Sequence, residues 1–170
     1  PDLFSAVSPR PEVEAFIAAF EALRAQDAFN ILRPDVVIFD VLGDVVCGGF
    51  SAPIRDGYAD EIFIVTSGEK MALYAANNIA SAVDNFADRG YAKVRGIILN
   101  RRNIPQEIEK VEAFAQQRSL HIVADIPRSD AINDFEERGM TVIEGNPSLP
   151  ISQRFIGLAQ ALLKDSHYAV

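Results

Sequence analysis

Tryptophan is absent from this 170-residue chain, histidine occurs twice and cysteine once. A single cysteine excludes a disulfide framework within the chain. It leaves Cys47 as a buried small side chain, a reactive thiol, a metal ligand or half of an intermolecular pair. Basic charge is also short: 16 Lys and Arg stand against 24 Asp and Glu, for a net charge of −8. That balance opposes nucleic acid or an anionic membrane surface as the main partner, because both call for clustered cations. No apolar run approaches the ~18 residues of a membrane span. The opening stretch PDLFSAVSPRPE has neither the basic start nor the apolar core of a secretory signal. The expected location is the cytoplasm. His121 and His167 are isolated, one leading an apolar run and one in the tail, so neither suggests a metal site.

What is present is an alternation of two periods. Short, nearly continuous apolar runs occur at VVIFDV (36–41), EIFIVT (61–66), VRGIILN (94–100), HIVADIP (121–127) and TVIE (141–144). Runs of this kind suit strands buried on both faces. Helical patterns lie among them at 11–26, 68–90, 105–118 and 151–164, with Pro11 near the first turn of one and Gly90 as a stop for another. Phe16, Phe20 and Leu23 share a stripe, as do Phe155, Leu158 and Leu162. Strand and helix alternating over the whole length predict an α/β fold, a mostly parallel sheet flanked by helices on both faces. With no internal repeat and no low-complexity linker, the expectation is one domain over 1–170.

Ligands of such sheets bind at the carboxyl ends of the strands. The informative residues are then Asp40 to Gly49, Ser67 to Glu69, Asn100 to Asn103 and Pro127 to Asp130. A strand-end Asp such as Asp40 can hold a water of a nucleotide-bound Mg²⁺. Gly43, three residues on, can bring its N–H against a phosphate with no side chain in the way. By themselves the two also read as a capped turn, which is the commoner use of D-x-x-G.

The longer string DVLGDVVCGGF (40–50) resembles the second switch segment of the nitrogenase iron protein and its nitrogenase-like relatives, ATP-dependent reductases that carry a [4Fe–4S] cluster. The resemblance continues in APIRDGYADEIFIVTSGEKMALYAANNI (52–79), NRRN (100–103) and IPRSDAINDFEERGMTVIEGNP (126–147), and so covers most of the chain. It implies a P-loop NTPase-like fold and an electron-donating, ATP-hydrolysing homodimer that serves the catalytic component of a nitrogenase-like complex. By that resemblance Asp40 belongs to the Mg²⁺ shell, Asp44 orients or deprotonates the attacking water, and Gly43 meets the terminal phosphate. Cys47 binds the cluster, with the Gly48 and Gly49 amides near its sulfides. Asp40 and Cys47 are at most about 25 Å apart along extended chain, so a shift at the phosphate can reach the sulfur. Asn100 corresponds to an adenine-contacting Asn, while Pro127, Arg128 and Asn133 fall in the segment that wraps the base. Where Asn133 stands the family often has Gln. Glu69 and the helix it opens read as structural, and Arg55 as a surface charge near Asp56 and Asp60.

Two features of the family pattern are not found. The chain contains no G-x-x-x-x-G-K-[ST] phosphate loop, and it contains no G-C-A-G-R-G segment, which holds the family's other cluster cysteine. Arg10 has neighbours that do not match that segment. The expectation is an N-terminally incomplete iron-protein fold. A dimer of this chain offers two thiolates where a cubane takes four. Three readings follow: the reductase component, a cluster-free ATPase of the same superfamily acting as a regulatory or cargo switch, and a non-enzymatic docking or dimerisation module.

Overall fold

The computed structural model of the protein describes residues 18–19, 21–41, 59, 61–87 and 92–165. The chain divides into two compact units, one from residues up to Glu61 with Ser81–Lys93, the other from Ile62–Ala80 with Val94 onward. In the first unit residues 18–19 and 21–25 are helical, within the expected 11–26 pattern, and a short helix α1 (Ala28–Leu32) follows. Gly90 and Pro11 lie outside the described residues.

The expected strand at 36–41 is not formed. Those residues carry no regular structure, and Val36, Val37 and Ile38 are exposed, Ile38 by 80%. An apolar run becomes a strand only when a neighbour accepts and donates its ladder hydrogen bonds. Among the described residues this run has no strand partner.

The second unit holds the sheet. Strands β1 (Glu61–Thr66), β2 (Lys93–Asn100) and β3 (Ile122–Ile126) lie side by side in the order β1-β2-β3 and run parallel. Parallel neighbours need a crossover, here α2 (Lys70–Ala87) between β1 and β2 and α3 (Glu107–Gln117) between β2 and β3. Three helices follow: α4 (Asp130–Glu136), α5 (Val142–Gly145) and α6 (Pro150–Asp165).

Side chains sort the helices onto two faces. Ile64, Ile97 and Leu99 from the strands meet Ala76 and Ala80 of α2 and Val111, Phe114 and Ala115 of α3. On the other face Ile98, Ala124 and Ile126 meet Ile132 and Phe135 of α4, Val142 of α5, and Ile151 and Phe155 of α6. A register shift between Ile97 and Ile98 makes this sorting possible, because Ile97 pairs with Ile122 while Ile98 pairs with Ala124. The skipped Val123 lets Ile122 join the first core and Ala124 the second, where strict alternation would send both to one side. Gly96 admits the bulge: a Cβ there would run into Val123 and stand 3.0 Å from the His121 carbonyl.

The run TVIE, expected as a strand, is the start of helix α5. Thr141 Oγ1 accepts from the Glu144 N–H at 3.2 Å and the Glu144 carboxylate accepts from the Thr141 N–H at 2.8 Å, a complete capping box. Two reciprocal caps outweigh the β preference of Thr, Val and Ile in so short a run. Helix α6 is anchored by Ser152, fully buried, whose Oγ donates toward the Asn146 carbonyl at 2.7 Å and the Val142 carbonyl at 2.9 Å. No helix of the described residues is long and apolar enough to cross a membrane.

Candidate functional site

Parallel strands bring their carboxyl ends to one edge, and three polar segments leave the sheet there: Ser67–Glu69 after β1, Asn100–Asn103 at the end of β2 and Pro127–Ser129 after β3. Asn100 is the register partner of Ile126, and the Arg101 N–H donates to the Ile126 carbonyl at 2.9 Å. Asn100 and Pro127 are therefore neighbours at the rim. Asn100 is exposed, Pro127 is half-buried, and Arg128 and Asn133 are exposed, the latter on α4. Three of the expected base-site residues, Asn100, Pro127 and Arg128, thus share one edge of the sheet. Asp40 is exposed in the first unit. Gly43, Asp44, Cys47, Gly48 and Gly49 lie outside the described residues, as do Arg10, Arg55 and His167.

The residue that organises this rim belongs to no motif in the sequence. Glu107, the first residue of α3, is 5% exposed and its carboxylate is filled by backbone donors. Oε1 accepts from the Arg102 N–H at 2.9 Å and the Gly68 N–H at 3.2 Å. Oε2 accepts from the Asn103 N–H at 3.0 Å and the Arg102 N–H at 3.1 Å. Burial opposes the ionised form, but the amides of Arg102, Gly68, Asn103 and Ile104 outweigh it and hold the carboxyl below its ordinary value. Asn103 and Gln106 both sit in the left-handed region, at φ 60° and 54°. Gln106 occupies the N-cap without capping through its side chain. Glu107 reaches back and satisfies the loop instead. An acidic residue in a first helical turn was the available signal, but its 39-residue reach to Gly68 is not written locally.

Two ion pairs frame the same rim. Arg101 grips Asp125 in a fork, Nε to Oδ1 at 2.5 Å and Nη2 to Oδ2. The hydrogen bond from Arg101 is the main reason that the Asp125 carboxyl lies below its ordinary value, against the opposing effect of burial. Arg102 Nε stands 3.7 Å from Glu69 Oε2, linking the loops after β2 and β1 at the surface. Ser67 Oγ donates to the Glu69 carboxylate at 3.2 Å. Glu69 directly precedes α2, and its carbonyl accepts from the Leu73 N–H at 3.0 Å. Among the described residues no group of three or more His, Cys, Asp or Glu side chains could hold a metal ion.

The family model for 4Fe-4S iron sulfur cluster binding proteins of the NifH/frxC family matches residues 13–170. The chain is 41% identical over 168 residues to the nitrogenase iron protein of Methanospirillum hungatei, covering 95% of this chain and 59% of that protein. It is 39% identical over 150 residues to nitrogenase iron protein 2 of Methanothermococcus thermolithotrophicus, covering 88% of this chain and 51% of that one. The chain thus spans just over half the length of these curated relatives. Among solved structures, the MinC:MinD cell division protein complex of Aquifex aeolicus superposes with a TM-score of 0.56 at 22% identity, over 71% of this chain and 48% of that one. The cell division ATPase MinD of Pyrococcus furiosus gives 0.51 at 21%, over 64% and 44%. At these identities the structural likeness establishes the P-loop ATPase-like α/β fold and nothing finer.

Proposed function

This chain belongs to the NifH/frxC family of 4Fe-4S iron sulfur cluster binding proteins, and from that membership we propose that it is part of the ATP-hydrolysing, electron-donating component of a nitrogenase-like reductase. The observation that carries the nucleotide half of this reading is the rim itself. Asn100 is exposed at the end of β2 with Pro127 beside it, on a loop that Glu107 holds by two backbone amides, Arg102 and Asn103, while a third, Gly68, ties it to the loop after β1. A side-chain amide offers a donor and an acceptor side by side, the pattern that an adenine edge matches.

In this reading Asn100 meets the base and Pro127, Arg128 and Asn133 close over it. Asp40 would hold a water of the Mg²⁺ ion, Gly43 would offer its N–H to the terminal phosphate, and Asp44 would orient the attacking water and take its proton. The nucleotide with its Mg²⁺ supplies the phosphoryl group and a cation that neutralises charge developing on it. Cys47 would be the residue of this chain that holds a [4Fe–4S] cluster, whose chemistry there would be one-electron transfer. One cysteine per chain gives a dimer two thiolates where a cubane takes four, so the residues of this chain do not by themselves complete that cluster. The second reading is a cluster-free ATPase switch of the same superfamily, and iron binding at Cys47 separates the two.

In the full-length protein Asn100→Ala is expected to weaken adenine nucleotide binding by about 1–3 kcal/mol, the cost of leaving a partner group unpaired. Asp44→Asn is expected to slow ATP turnover greatly and leave binding largely intact. Unchanged turnover in the Asp44 variant removes its catalytic role, and unchanged binding in the Asn100 variant removes the base site.

A further inference from the structure

Glu107 receives its donors from two strand-end loops that are far apart in sequence. Gly68 follows β1, Arg102 and Asn103 follow β2, and one buried carboxylate takes an N–H from each. The fit is tight on the Gly68 side. A Cβ there would stand 2.9 Å from Glu107 Cγ, 3.0 Å from its Cα and 3.1 Å from its carbonyl oxygen, two of them backbone atoms that cannot swing aside. On the other side the loop turns through Asn103 in the left-handed region, which Asn enters more readily than other side-chain-bearing residues. Arg102 reaches Glu69 across the same two loops. Asn100 stands at the root of the gripped segment, two residues before Arg102.

We propose that Glu107 is a positioning residue for base recognition: by fastening residues 102–103 to Gly68 it sets the direction in which the Asn100 amide meets a purine edge, and with it the preference for adenine over a purine with a carbonyl in place of the amino group. The proposal rests on the nucleotide reading of the rim. An amide discriminates between an amino group and a carbonyl only if it is presented in one orientation, because a free amide can turn over and offer its other end. A carboxylate filled by backbone amides is a stiff anchor, since charge-assisted hydrogen bonds are stronger and shorter than neutral ones. A Gln at this position keeps one acceptor but turns an NH₂ group toward backbone N–H donors. The loop then has to move.

The test measures dissociation constants of ATP and of inosine triphosphate for the full-length protein and three variants, with thermal unfolding as the check on folding. Glu107→Gln is expected to lower the preference for ATP over inosine triphosphate about fivefold or more, through weaker ATP binding, and to change the affinity for inosine triphosphate by less than about twofold. Gly68→Ala, which crowds the carboxylate from the opposite loop, is expected to act in the same direction and decides the matter if Glu107→Gln does not fold. Equal loss for both nucleotides marks a merely structural role and overturns the proposal. If Asn100→Ala abolishes the preference while Glu107→Gln and Gly68→Ala keep it, the positioning role falls and the base site stands. If Asn100→Ala keeps the preference too, or the protein binds neither nucleotide, the base site falls and the positioning role with it.

Discussion

A carboxylate withdrawn from water is costly unless hydrogen bonds replace its hydration, and Glu107 replaces it with backbone amides that would otherwise be unsatisfied themselves. Both Glu107 and Asp125 are held below their ordinary values in the folded state. Groups of this sign add stability above the unfolded carboxyl range of about 4, and lose it as pH falls through the lower folded value. Glu107→Gln is therefore expected to cost about 1–3 kcal/mol near neutral pH, with the gap to the parent protein narrowing in acid. Asp125→Asn follows the same course with a smaller cost, about 1 kcal/mol or less, because its pair with Arg101 is partly exposed. Urea unfolding at a series of pH values reads both effects. A deficit in Glu107→Gln that stays constant from neutral pH into acid would show that shape, not charge, is what the loop requires.

Between residue and fold, the capping box decides what 141–144 becomes. Thr141 and Glu144 exchange two hydrogen bonds, and in the helix they start Val142 is buried with Ile126 and Ile151. Thr141→Ala is expected to lower stability by about 1 kcal/mol, while Thr141→Ser retains most of it; thermal denaturation of the two variants side by side separates the cap from the methyl group. At the end of the same helix a Cβ on Gly145 would enter the Phe135 ring, so Gly145→Ala is expected to disturb the contact between α4 and α5. The pattern T-x-x-E is the local signature of such a cap, and β-branched composition is the weaker signal in so short a run.

At the scale of the whole molecule, family membership follows from the match over residues 13–170, and the choice between the proposed activities turns on Cys47. Cys47 divides the electron-transfer reading from the cluster-free one. Anaerobic reconstitution of the full-length protein with iron and sulfide is expected to give about four iron atoms per dimer, and Cys47→Ser to abolish their binding. Iron bound equally by the Cys47→Ser variant, or no iron bound at all, transfers the weight to an ATPase switch without a cluster. The expected strand at 36–41 belongs to this scale too. Its apolar residues are those of a buried strand, yet whether they pair depends on partners that no local pattern specifies.

Composition and period determined a good deal of this protein. Continuous apolar runs marked β1, β2 and β3 to within a residue or two, the helical patterns at 68–90, 105–118 and 151–164 marked α2, α3 and α6, and the string around Cys47 was enough to suggest the family. Such features are local: a buried strand needs apolar residues on both faces wherever it lies, and a helix needs one stripe. The tertiary structure alone decided the rest. The bulge at Val123 exists because two cores on opposite faces of the sheet each claim one residue of the same strand. Glu107 reads in sequence as one more acid at a helix start; folding brings Gly68, from 39 residues away, against it and makes it the buried clasp of the rim.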